Sequence, residues 1–120
     1  MTQIKLMKES QMIAPSVAIA DTLLSRTKGL LGRPSLPAGE GLWIKRCNSI
    51  HTLFMRFSLD AVFVDKNLRV VSIHQNLPPW RITLPRLKAT SVFEMPAGTL
   101  NELGIHLQAG DQLTVVQHGQ

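Results

Sequence analysis

The sequence predicts a mainly β (α+β) fold, a small antiparallel β-barrel or sandwich of about six to seven short strands with one or two short helices packed at one end. Three observations lead there. Short runs of alternating or β-branched residues recur between turn signals along the whole chain. Only one stretch has convincing helical spacing, and no unit of strand, long helix and strand repeats, so a doubly wound parallel sheet is disfavoured. At 120 residues the length is that of one domain, 1–120, built on a single core.

Residues 3–8 and 17–20 read as two strands separated by Pro15. Asp21 or Thr22 then caps a helix through Leu23, Leu24, Lys28, Leu30 and Leu31, with Gly32 as its stop and Pro34 just beyond. Leu23, Leu24, Thr27, Leu30 and Leu31 share one apolar face, and Arg26, Lys28 and Arg33 lie elsewhere around the axis. Pro34, Pro37, Gly39 and Gly41 make a turn-rich loop before a strand over 42–44.

The clearest strand covers 59–65, with Leu59, Ala61 and Phe63 on one face and Asp60, Val62 and Val64 on the other. Asp65, Lys66 and Asn67 turn it into a second strand over 68–74, with the positive φ assigned to Asn67. Residues 77–85 carry Pro78, Pro79 and Pro85, which exclude a helix and a central strand and leave an irregular connection. A strand over 90–95 ends at Pro96, Ala97 and Gly98, and one or two helical turns over 99–103 stop at Gly104. Ala109, Gly110 and Asp111 turn into a closing strand over 112–117.

Apolar residues make up 44% and charged residues 18%, a globular mix rather than a disordered or membrane one. The single cysteine, Cys47, excludes an intramolecular disulfide and a Cys-rich zinc site, and points to a reducing compartment. Lys5, Lys8 and Glu9 interrupt any apolar run long enough for a signal-peptide core, and no stretch is long and apolar enough to span a bilayer. A soluble, cytoplasmic protein is the expectation, although a chain from which an export signal had been removed would read the same way. The net charge of +5 favours an acidic partner without naming one.

Four ordered blocks carry a family resemblance. They are Arg26-Thr27-Lys28-Gly29-Leu30-Leu31-Gly32-Arg33, then Cys47-Asn48-Ser49-Ile50-His51-Thr52-Leu53-Phe54-Met55 leading into Leu59-Asp60-Ala61-Val62-Phe63-Val64-Asp65, then Val92-Phe93-Glu94-Met95-Pro96-Ala97-Gly98, and finally Ala109-Gly110-Asp111-Gln112-Leu113. Over about 17–116 the chain resembles the family called domain of unknown function 192. The resemblance implies a small, mainly β fold of this size, found in both cytoplasmic and exported prokaryotic proteins. It implies no reaction.

Asp60 lies on the face of Val62 and Val64, and Glu94 on that of Thr90 and Val92, so each carboxylate needs partners or a raised pKa. As a converging pair they would be a hydrolase's acid and base. The plainer alternative is that each pairs with an arginine, such as Arg26 or Arg33, or accepts backbone N–H groups. Cys47 and His51 are the other weak catalytic candidates. On a helical turn they would face the same way as neighbours, but on a strand, though sharing a face, they would stand about 13 Å apart. The scattered histidines show no metal-binding spacing, so no metal and no cofactor are expected.

A ligand cleft lined by Arg26, Arg33, His51, Thr52, Asp60 and Glu94 is the functional reading, suited to a small polar or anionic ligand. It makes the protein a non-enzymatic binding or accessory module. A buried network holding the helix on the barrel would use the same residues. Between Lys66 and Lys88 five basic residues occur with no acid until Glu94. Arg69, Trp80, Arg81, Arg86 and Lys88 therefore form a basic surface for an acidic protein or, less favoured, for nucleic acid, since no RNA-binding or helix-turn-helix signature accompanies it. A solvated loop is the ordinary alternative.

Overall fold

The computed structural model describes residues 3–22, 25–26 and 29–117. Its strands are β1 (Gln3–Lys8), β2 (Gln11–Ala20), β3 (Glu40–Lys45), β4 (Leu59–Val64), β5 (Val70–Leu77), β6 (Ser91–Pro96) and β7 (Thr114–Gln117), with one short helix, α1 (Thr99–Glu102). They form one sheet in the order β5-β4-β6-β3-β2-β1-β7. Every pairing is antiparallel except β2 with β3. Among the described residues no helix is long and apolar enough to cross a membrane.

The two edges of the sheet come back toward each other. Arg69, before β5, bridges Gln112, before β7. The Val70 N–H donates to the Asp111 carbonyl at 2.8 Å, and the Leu113 N–H to the Leu68 carbonyl at 2.9 Å. The sheet curls toward a barrel without closing, and that junction shields part of its edges.

Two apolar clusters occupy opposite faces of the sheet, where the sequence reading anticipated one core. The first joins Leu6 and Val17 to Val62, Val64, Phe93 and Leu113. It links β1 with β4 across three intervening strands, so the sheet wraps around this side. The second sets Leu42, Ile44, Leu59, Ala61, Phe63 and Val92 against Leu30, Ile50 and Met55 of the overlying loops. All six residues of β4 are buried in consequence, and alternation along that strand sorts side chains between two interiors rather than between core and water.

Local chemistry explains where the expected elements differ. Pro15 lies within β2 rather than before a strand. The β1–β2 register jumps from Ile4↔Val17 to Leu6↔Ala14, so Pro15 and Ser16 together face Lys5 in a bulge, where a missing N–H is tolerated. In the turn after β4 the positive φ falls on Leu68 rather than Asn67, because Asp65 Oδ1 accepts the N–H groups of both Asn67 and Arg69 and fixes the turn around them. Thr22, not Asp21, starts the helical turn at residues 25–26. The Ser25 N–H donates to Thr22 Oγ1 and the Thr22 N–H to Ser25 Oγ, each at 3.1 Å, a reciprocal cap. Leu23, Leu24, Thr27 and Lys28, on which the predicted helix also rests, lie outside the described residues.

Candidate functional site

A cavity of about 200 Å³ opens on the second face, beside the middle of β6. Glu94 projects into it. Its neighbour across the ladder is Ala61, whose small side chain leaves room beside the carboxyl. Ile44 contributes from β3, Arg26, Leu30 and Leu31 from the helical turn and the chain after it, and Cys47, Ser49, Ile50, His51 and Met55 from the segment after β3.

Backbone bonds hold that segment in place. The Cys47 N–H donates to the Thr90 carbonyl at 3.0 Å, and the Thr83 N–H to the Ile50 carbonyl at 2.9 Å. Thr83 Oγ1 accepts the Ile50 N–H, also at 2.9 Å. The cavity wall is thus pinned to the β5–β6 connection at two points, Thr83 and Thr90.

Glu94 is 5% exposed, and burial pushes its carboxyl up to about 7. Among the described residues no salt bridge reaches it; the two present join Lys8 to Asp111 and Arg33 to Glu40. Arg26 donates from Nη2 to the Arg46 carbonyl at 2.7 Å, while its Nε is buried with no hydrogen-bond partner. Arg46 in turn donates to the Asp21 carbonyl. The cavity therefore combines an apolar wall, a carboxyl that keeps its proton near neutrality and a guanidinium with donor capacity to spare.

Cys47 and His51 both line the cavity but do not form a nucleophile–base pair. The Cys47 S–H donates to the Ser49 carbonyl at 3.0 Å. Burial raises its pKa, with the Glu94 charge adding to the rise and the Ser49 bond and Arg26 opposing it, so the group is a thiol at neutral pH. His51 is exposed and lies in an extended bridge with Ile82, and its Nδ1 accepts the Leu53 N–H at 3.3 Å.

Three members of the expected cleft lie elsewhere. Arg33 pairs with Glu40 at 3.7 Å on the surface. Thr52 is fully buried; its hydroxyl donates to the Pro78 carbonyl at 2.7 Å and accepts the Arg81 N–H at 2.9 Å. Asp60 points to the first face, where Oδ1 accepts the N–H groups of Asn76 at 2.9 Å and Gly98 at 3.2 Å, and Oδ2 that of Leu100 at 3.2 Å. The backbone-bonding alternative holds for Asp60, and the converging carboxylate pair does not form. Asp60 is opposite Met95, and Glu94 opposite Ala61, which sends the two acids through opposite sides of the sheet.

The expected basic surface also divides. Arg69 belongs to the bridge between the sheet edges, whereas Trp80, Arg81, Arg86 and Lys88 are exposed on the β5–β6 connection. No group of three His, Cys, Asp or Glu among the described residues is placed to hold a metal ion. The sequence reading missed Ile44, Ile50, Leu30 and Leu31 as cavity walls. Their apolar character marks them as core, and only the orphaned Arg26 Nε and the Glu94 carboxyl reveal that the core is interrupted there.

Residues 4–115 match the family DUF192, described as Uncharacterized ACR. The chain is 39% identical over 85 residues to a UPF0127 protein of Pyrococcus horikoshii, covering 68% of this chain and 73% of that one. It is 33% identical over 101 residues to a UPF0127 protein of Thermococcus sibiricus, covering 81% of this chain but spanning only 64% of the length of that relative. The crystal structure of a protein of unknown function from Novosphingobium aromaticivorans is similar, with a TM-score of 0.77 and 25% identity over 93% of this chain and 83% of that one.

Proposed function

The chain belongs to the DUF192 family, and from that footing we propose that it is a binding or accessory module holding a small polar or anionic ligand in the cavity between Arg26 and Glu94. One observation carries the reading. A buried carboxyl and the buried Nε of a half-buried guanidinium meet the same cavity, and neither is satisfied by an ion pair with the other: Arg26 Nε has no partner, and no salt bridge reaches Glu94. Buried polar groups in a native interior ordinarily have partners, so a ligand that completes them accounts for their survival.

Size narrows the ligand. At about 200 Å³ the cavity is smaller than the usual range for drug-sized molecules and equals roughly seven waters at their liquid volume of about 30 Å³ each. A short carboxylate fits both chemistry and space. Its anionic end takes the free Arg26 donor and accepts from protonated Glu94, and its short apolar tail lies against Ile44, Ile50 and Leu30.

The test is a heteronuclear NMR titration with acetate, propionate, butyrate and inorganic phosphate at pH 6 and pH 8. Saturable shifts centred on Ile44, Cys47 and Ile50 are expected with at least one anion, stronger at the lower pH where Glu94 keeps its proton, and absent in Arg26→Ala. Unmoved cavity resonances at millimolar concentrations of every anion would overturn the reading.

A further inference from the structure

We infer that the β5–β6 connection, together with Phe54, is a docking surface for an anionic lipid bilayer. Seven large apolar side chains are well exposed among the described residues, and five of them are here: Phe54, Trp80, Ile82, Leu84 and Leu87. Ile82 is 71% exposed, Leu84 79% and Leu87 96%. Scattered single exposures are ordinary on a soluble surface; four within residues 80–87, with Phe54 packed against Trp80, are a local concentration.

The display is built, not loose. In the extended stretch after Pro79, Thr83 turns inward and is buried, which sends its neighbours Ile82 and Leu84 outward by alternation. The segment is laced to residues 48–52. The Trp80 N–H donates to the Thr52 carbonyl at 2.9 Å, the Thr52 N–H to the Arg81 carbonyl at 2.8 Å and the Arg86 N–H to the Asn48 carbonyl at 3.1 Å. Leu87 then stands at the tip of a turn closed by the Ala89 N–H on the Arg86 carbonyl at 3.0 Å. These bonds satisfy part of the segment's backbone before it meets a lipid interface, which lowers the cost of entering one.

Two of the six described non-glycine residues with positive φ lie in the same place. Phe54 has φ 65° and Trp80 φ 67°, a left-handed conformation that bulky side chains rarely adopt. The two rings pack edge-on with centroids 4.7 Å apart, yet both remain exposed. Two adjacent aromatic residues held in unfavourable conformations without gaining burial indicate a task at the surface.

Charge selects the occupant. Arg81, Arg86 and Lys88 are exposed between the apolar tips, and from Lys66 to Phe93 the sequence has no acid. A polynucleotide rewards stacking on aromatic faces, to which Ile82, Leu84 and Leu87 contribute nothing. An anionic bilayer rewards all three features: aliphatic tips in the acyl boundary, tryptophan at the headgroup level and cations against acidic lipid.

Flotation with vesicles of phosphatidylcholine alone or mixed with phosphatidylglycerol tests this on the whole protein. Binding to the mixed vesicles is expected, weakening as salt rises, with a blue shift of tryptophan fluorescence that Trp80→Leu removes. The double variant L84S/L87S, at side chains with little to lose on folding, should bind about tenfold or more weakly, and circular dichroism checks that it remains folded. Absence from both floating fractions would overturn the inference. So would undiminished binding by the double variant, capture of single-stranded oligonucleotides without vesicle binding, or a self-association that L84S/L87S abolishes.

Discussion

Asp60 and Glu94 stand one register step apart on paired strands and leave the sheet through opposite faces. Asp60 is saturated by three backbone N–H groups that tie β5 and the start of α1 to β4. Glu94 is buried to a similar degree and has no salt-bridge partner. Two acids with near-equal burial thus have separate tasks, one holding the fold and one facing a cavity.

Asp60→Ala should cost roughly 3 kcal/mol, because it removes the buried acceptor of three backbone N–H groups, of which that of Leu100 is buried and those of Asn76 and Gly98 are partly so. Asp60→Asn, which keeps one oxygen, should cost less. Urea unfolding gives the comparison; a Cm unchanged in the alanine variant would refute the anchoring role.

Glu94 gives stability a pH dependence of unusual sign for a carboxyl. Its folded pKa of about 7 lies above the ordinary 4.5, so the native state binds the proton more tightly than the unfolded chain. The contribution is fully present below about pH 4.5 and is lost as pH rises toward and through 7. The difference amounts to about 3 kcal/mol at roughly 1.4 kcal/mol per pKa unit. Glu94→Gln should remove this slope, which urea titrations of both proteins between pH 5 and pH 8 will show. Parallel slopes would count against a protonated, buried Glu94.

Thr52→Val keeps the volume of a fully buried side chain but leaves the Arg81 N–H and the Pro78 carbonyl without their hydroxyl. A loss of about 1–3 kcal/mol is expected. Hydrogen exchange should accelerate first at Trp80, Arg81 and Thr83, and a uniform acceleration across the sheet would show that the hydroxyl does not act locally.

Phe54→Gly separates strain from packing. Glycine relieves the left-handed backbone at φ 65° while giving up an exposed ring contact worth about 0.5–1.5 kcal/mol. Stability should stay within about 1 kcal/mol of the parent, as thermal or urea unfolding will report, whereas a core phenylalanine would cost about 3–5 kcal/mol. Vesicle affinity should nevertheless fall.

Much of the sheet was legible because its signals are local. The β-branched and alternating runs locate β1, β4 and β6 closely, and Gly98 and Gly104 frame α1, with φ values of 87° and 67°. What escaped depends on register. Period-2 alternation placed Asp60 and Glu94 each on the right face of its own strand, but only the pairing of β4 with β6 shows that those faces are opposite. The continuation of β2 through Pro15 was hidden because a bulge is a property of two strands. Arg26, His51 and Glu94 do meet at one cavity, whereas Arg33, Thr52 and Asp60 do not, since residue type announces a polar role without saying which partner fulfils it.

The neighbour of β1 on its outer side is β7, the last strand in the sequence. A chain synthesised from its N-terminus carries that flank of β1 uncovered while more than a hundred further residues are added. At usual elongation rates this lasts on the order of ten seconds. The junction that draws the sheet edges together, Arg69 with Gln112, also forms only after residue 112 has been added. The nascent protein therefore spends its making with a strand edge open to a neighbouring nascent chain, and the bulge at Pro15, by bending β2 beside it, makes that edge a poorer template for the wrong partner.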